Sequence, residues 1–299
     1  MATRGRTLGV DRGLQTRMLI TMMLLGIVYG VFIFILWSIG AGFGLIFVSL
    51  MVLVQFYFSD RMVLATMRAK IVTEKDQPRL HEMVGRLAVE AGVPKPRVAV
   101  ADMAVPNAFA TGRSQKHAAV AVTTGLLGML SDDELEGVLA HEMSHIRSRD
   151  VQVMTYVSFF AVVASSLMTF FFFMGLMGGM RGRRGNGGNA MMVAYLVTIV
   201  VWVVSQILVA TLSRYREFAA DRGAAALTGR PMELASALER ISGSTSKVPK
   251  DDLRKVEAMN AFFIMPAIGD GVARLFSTHP ATMRRVERLR QMAQDLSAG

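Results

Sequence analysis

The chain contains no cysteine. That absence excludes disulfides, thiolate-ligated zinc, iron–sulfur clusters and thiol catalysis, and it requires any metal site to use His, Asp or Glu. Charge is also scarce: 19% of the 299 residues are Asp, Glu, Lys or Arg against 52% hydrophobic, and mean hydropathy is +0.40, too apolar for a typical soluble domain. The composition is that of a membrane protein. Acids are outnumbered by bases, giving a formal charge of +10, but no nucleic-acid recognition motif or aromatic-interleaved basic run accompanies the excess. The charge therefore reads as membrane topology, with no nucleic-acid partner. A G-x-x-x-x-G-K-[ST] phosphate loop is missing as well, so the chain encodes no ATP-driven unfolding.

What the chain has in abundance is uncharged apolar sequence. Four runs stand out, Met18–Trp37, Gly40–Phe58, Val151–Met180 and Ala190–Leu212, each long enough to span a bilayer as a helix. The first two are separated by a very short turn near Ser38–Gly42 and read as a transmembrane hairpin. A cleaved signal peptide would have a shorter apolar core and a small-x-small cleavage site. Between the last two lies Arg181–Asn189, Gly-rich and without apolar period, which reads as a flexible loop closing a second hairpin. The expected organisation is residues 1–58 as a basic segment and hairpin, 59–150 as the first part of a domain outside the apolar runs, 151–212 as the second hairpin, and 213–299 as the second part of that domain.

In 59–150 helix and strand patterns become legible. Asp76 is expected to cap a helix with Pro78 in its first turn, an apolar stripe of Leu80, Met83, Val84, Leu87 and Ala91, and Gly92 at its end. Val98–Ala101 and Ala118–Thr123 read as strands, and Pro106–Gly112 between them as a loop or edge segment. Of the histidines here, His81 and His117 have no ligand-spaced partner and read as structural or solvated. Near the C-terminus, Pro280 with Val286, Leu289 and Met292 beyond it predicts a final amphipathic helix.

The stretch that carries chemistry is Ser131–Ile146. Ser131 and Glu134 form a capping box, and Leu135, Val138, Leu139 and Ile146 recur at helical spacing, so His141-Glu142-x-x-His145 sits within a helix. Residues four apart share a helix face, so His141 and His145 can present two imidazoles to one ion. Glu142 stands beside them, where a carboxylate can take a proton from water. By chance alone such a motif arises in on the order of one chain in a hundred of this length, so the helical context matters. A catalytic zinc site also needs a third protein ligand. Directly after the fourth apolar run, Glu217 and Asp221 share a face if that helix continues, and two acids at this spacing call for a nearby cation. Arg214, Arg216 and Arg222 could supply it. The hairpin favours the metal, because it returns the chain to the same membrane face and brings Glu217 toward the histidine pair.

These residues together resemble the HtpX family of integral-membrane zinc metalloproteases, relatives of the CAAX prenyl protease. The resemblance runs from the first apolar run to the C-terminus. It rests on His141-Glu142-x-x-His145, Glu217-x-x-x-Asp221 after a membrane hairpin, Pro106–Gly112, and Ser277-Thr278-His279-Pro280 with Arg285 and Val286 beyond. It implies one zinc held by His141, His145 and Glu217, Glu142 as general base, Asp221 orienting His141, His279 stabilising the oxyanion, and Asn107 in a substrate cleft where an edge strand pairs with an extended peptide.

The expected fold is a mostly α integral membrane protein with four transmembrane helices and an α+β, zincin-like catalytic domain carrying a small sheet. The expected function is zinc-dependent endopeptidase action on misfolded or damaged membrane and cytosolic proteins, in quality control and stress response. A narrow-specificity processing protease and a non-catalytic zinc-binding scaffold are the alternatives. Partners are polypeptide substrates and membrane lipid. The basic N-terminus, Arg61, Arg68, Lys70, Arg214, Arg216 and Arg222 place the catalytic parts on the cytoplasmic face of a prokaryotic inner membrane. Arg181, Arg183 and Arg184 argue the other way, which leaves open whether residues 151–212 cross fully or form an embedded hairpin.

Overall fold

The apolar runs become helices, and the first, second and fourth of these continue into more polar sequence. In the computed structural model, which describes residues 11–38, 42–179, 187–245 and 282–298, α1 spans Arg12–Ser38 and α2 spans Gly42–Thr66. α6 (Asp150–Gly179) and α7 (Gly187–Thr228) form the second pair. Among the described residues three helical stretches are long and apolar enough to cross a membrane: Arg12–Ile35, Gln152–Thr169 and Tyr195–Thr228. Gly187, Gly188 and Asn189, expected in the loop, instead open α7. A first turn tolerates them because its backbone N–H groups have no intrahelical partner to lose. The α1 helix packs on α6 and α7 through Leu25, Tyr29 and Phe32, and the Tyr29 hydroxyl donates to the Val157 carbonyl at 2.5 Å.

The remaining elements build a small domain on one end of these helices. Its sheet has the order β1-β2-β4-β3, with β1 Ala69–Ile71, β2 Arg97–Ala101, β3 Ala108–Thr111 and β4 Ala119–Thr123. The inner pair β2 and β4 is parallel, whereas β1 and β3 are antiparallel edges. Pro106–Gly112, expected as loop or edge, thus contains the edge strand β3. All five residues of β4 are buried because both faces of the sheet are covered. Val120 and Val122 face the helical core, and Ala119 and Ala121 meet Phe109 together with Val63 and Leu64 from the end of α2 and Met67 from the turn after it.

Three helices pack on the first face: α3 (Pro78–Ala91), α5 (Asp132–Arg147) and α8 (Pro231–Thr245), with α9 (Thr282–Ala298) against α8. The short α4 (Thr124–Met129) is capped by Thr123, whose hydroxyl accepts from the Leu126 N–H. In α3 the expected stripe is buried and Gly92 ends the helix with φ 67°, in the left-handed region. The expected cap differs. Gln77 occupies the N-cap, and the Asp76 carboxylate accepts instead from the backbone N–H and hydroxyl of Thr73 (2.9 and 2.7 Å), closing the turn before the helix. That local bond satisfies Asp76, and Pro78 needs no cap for its missing N–H.

Candidate metal centre

The α5 helix is placed from its first residue. Both arms of the capping box form: the Ser131 hydroxyl accepts from the Glu134 N–H, and Glu134 accepts from the Ser131 N–H at 2.9 Å. The same Glu134 carboxylate reaches Ser236 and Arg240 on α8, at 2.6 and 2.7 Å. Burial then extends almost all round the helix, from Glu134 to Ser144. Two glycines allow this. A Cβ at Gly137 would lie 2.9 Å from the Leu234 backbone nitrogen of α8, and one at Gly223 of α7 would lie 1.9 Å from Ser144 Oγ. The absent side chains let α7 and α8 close onto the motif helix.

Because α7 runs unbroken from the membrane segment through Thr228, it carries Glu217 to the histidine pair. His141 Nε2 and His145 Nε2 stand 3.1 Å apart. From Glu217, Oε1 lies 3.4 Å from His145 Nε2 and Oε2 lies 3.6 Å from His141 Nε2. With ligand bonds of about 2.0–2.1 Å, tetrahedral zinc ligands stand roughly 3.3–3.4 Å from one another. The donor set therefore fits such an ion in both chemistry and spacing, two imidazoles and one carboxylate, and these three residues form a possible metal-binding group. Glu142, the next residue on the helix, is buried and close enough for its charge to act on His145 and Arg285.

Each histidine is gripped on its other nitrogen. His141 Nδ1 meets Asp221 Oδ1 at 3.0 Å, and His145 Nδ1 meets Asp150 Oδ2 at 2.6 Å. Burial and the Arg285 charge both disfavour a protonated His141, yet hydrogen bonds to Asp221 and Glu217 outweigh them and hold its pKa above the ordinary 6.5. For His145 burial likewise works downward and loses to the bond and charge of Glu217 and the charge of Glu142, so its pKa is also raised. Both shifts have one origin: a compact set of carboxylates favours positive charge at this spot.

The paired acids have a protein cation beside them. It is Arg285 of α9, fully buried, whose Nε and one terminal nitrogen make a two-pronged bond to Asp221 (2.9 and 2.7 Å) while the other lies 3.1 Å from Glu217. Although burial opposes its charge, Asp221 and Glu217 raise its pKa further. Arg216 turns instead to Asp150. Neither Asp150 nor the role of Arg285 is legible in spacing. The first depends on the turn between α5 and α6, and the second on the docking of a helix 64 residues beyond Asp221.

Asn107 heads the edge strand and is fully buried, with its N–H donating to Thr123 Oγ1 at 2.8 Å and its carbonyl accepting from the Thr123 N–H at 2.9 Å. His279 lies outside the described residues. His81 approaches the Val72 carbonyl at 3.0 Å and His117 the Ser114 hydroxyl at 2.8 Å. Beside His145, Thr111, Gly112, Gln115, Ile146, Arg149 and Gln152 line a small, half-open hollow at the end of β3.

The family model for peptidase family M48 matches residues 74–293, a span that includes every element of this site. The chain belongs to peptidase family M48. Among curated members it is 52% identical to a "Protease HtpX homolog" of Moorella thermoacetica over 97% of this chain and 98% of that one. It is 53% identical to "Protease HtpX homolog 2" of Methanosarcina mazei over 96% and 98%. In fold it is similar to the crystal structure of S. mikatae Ste24p, with a TM-score of 0.56 and 18% identity, covering 93% of this chain and 66% of that one. As an M48 member with apolar helices of membrane-crossing length, the protein is a membrane metalloprotease.

Proposed function

We propose that the protein is a four-span zinc endopeptidase of a prokaryotic inner membrane, with α2 as the fourth span and its catalytic domain cytoplasmic, that degrades misfolded or damaged membrane and cytosolic polypeptides under stress. The observation that carries the reading is the trio His141, His145 and Glu217, whose mutual spacing suits one ion. Zinc, when bound, supplies a Lewis acid that acidifies water and polarises a peptide carbonyl. Glu142 accepts the proton of the attacking water and passes it to the leaving amine. Asp221 fixes the His141 ring so that Nε2 faces the ion, and Arg285 keeps Asp221 ionised. His279 hydrogen-bonds the oxyanion.

Substrate enters as an extended strand. The β3 strand lies at an edge of the sheet, and such an edge pairs through backbone hydrogen bonds with little regard for side chains. Asn107 at its head belongs to the substrate side of the cleft. Sequence-tolerant backbone pairing suits unfolded chains of many sequences.

Full-length protein in lipid, stripped by chelator and reconstituted with zinc, should cleave an unfolded soluble polypeptide only in the reconstituted state. Cleavage confined to lipidated C-terminal peptides would favour a processing protease. Zinc binding without hydrolysis of any polypeptide would favour a scaffold.

A further inference from the structure

His145 differs from His141 in where its support comes from. Asp221 reaches His141 along α7, the helix that also bears Glu217. His145 is met by Asp150, five residues later in sequence, beyond a sharp turn. The α5 helix stops at Arg147 with Ser148 as its C-cap, Arg149 takes the left-handed conformation (φ 56°), and α6 begins at Asp150. A non-glycine residue rarely holds that conformation unless its surroundings impose it. The turn folds the first residue of the membrane helix back under the motif helix, where the Asp150 carboxylate, only 7% exposed, meets His145 Nδ1 at 2.6 Å. Arg216 of α7, also buried, pairs with the same carboxylate and donates to the Ser148 carbonyl at 3.2 Å. It is the neighbour of Glu217, so one short stretch of α7 holds both a candidate ligand and the clamp on the α5–α6 turn.

We infer that Asp150 is the positioning residue for His145: by accepting a hydrogen bond from Nδ1–H it fixes the tautomer that leaves Nε2 free for the metal. Arg216 holds Asp150 in place. The inference rests on the reading of His145 as a ligand. Its consequence is that metal affinity depends on the root of the membrane hairpin, since both supporting groups belong to α6 and α7. Carboxylate partners of ligating histidines set ring orientation and basicity, and losing one weakens metal binding by about 10- to 100-fold.

The test is zinc competition against a chelator of known affinity, using full-length detergent-solubilised protein in a Glu142→Gln background so that self-cleavage plays no part. Asp150→Ala should bind zinc about 10- to 100-fold more weakly. Asp150→Asn should recover most of that affinity, because its amide oxygen still accepts from Nδ1–H although the ion pair with Arg216 is gone. The asparagine variant separates positioning from a merely structural ion pair, which predicts equal losses for both substitutions. It also decides the matter should the alanine variant fail to fold. Unchanged zinc affinity in folded Asp150→Ala, or asparagine as weak as alanine, overturns the inference. His145→Ala is the control. If it keeps zinc, the ligand reading itself fails; if it loses zinc while Asp150→Ala does not, only the role of Asp150 fails.

Discussion

Glu217 Oε1 on α7 lies 3.4 Å from His145 Nε2 on α5, a contact between residues 72 positions apart in the chain. The approach of the two helices that makes it possible depends on Gly223 facing Ser144.

Glu217→Ala should lose zinc. Metal analysis after chelator stripping and reconstitution should give one zinc per chain for the parent and well under one for the variant. Full zinc retention would move the third ligand elsewhere, to Asp221 first.

Gly223→Ala should destabilise the protein by about 1–3 kcal/mol, the usual cost of forcing an extra carbon into a packed contact. Chemical denaturation in detergent measures it. The added Cβ meets Ser144 Oγ and Cβ, at 1.9 and 2.8 Å, so Ser144→Gly should restore part of the loss. A variant as stable as the parent would mean that α5 and α7 are not so close.

The Glu134 carboxyl has a pKa lowered from 4.5: burial pushes it up, but Ser236, the Ser131 N–H and Arg240 together pull it further down. A lowered folded pKa contributes stability that is present above the unfolded value and lost as pH falls through the folded one. Glu134→Gln keeps the cap bond but should remove this part of the acid sensitivity, whereas Glu134→Ala should cost about 1 kcal/mol or more at neutral pH. Thermal unfolding at pH 7 and below pH 4.5 separates the two. Identical acid sensitivity in parent and Glu134→Gln would contradict the assignment.

Much of this architecture was legible because it is local. Ser131 with Glu134 marks the start of α5 within four residues of chain, and the stripe from Leu80 to Ala91 marks α3 in the same way. Glu217 could be found because a hairpin is a strong constraint: it must bring its two ends together. What escaped was set by distant packing or by competing local bonds. The β1 strand is three residues, Ala69-Lys70-Ile71, with no pattern of its own, and exists by pairing with β2. Asp76 had a nearer donor in Thr73 than the helix it precedes. Arg285 was legible only as part of a family pattern and Asp150 not at all, because the groups they hold become neighbours only when α9 docks and the α5–α6 turn closes.

Topology can be read chemically in this cysteine-free chain. With an impermeant thiol reagent outside intact cells, a cysteine at Asn186 should label, and one at Ser114 or Ser297 should label only after lysis. Labelling of Ser114 from outside would reverse the orientation. Protection of Asn186 would make residues 151–212 an embedded hairpin.

The central claim is that His141, His145 and Glu217 hold the metal while Glu142 moves the proton. Zinc content and hydrolysis of an unfolded polypeptide, measured on the same preparation of Glu142→Gln, test it most directly. The account predicts one zinc per chain, as in the parent, with hydrolysis reduced by about 100- to 10,000-fold, the usual contribution of a general base. Hydrolysis within a few-fold of the parent, with zinc still bound, would contradict it.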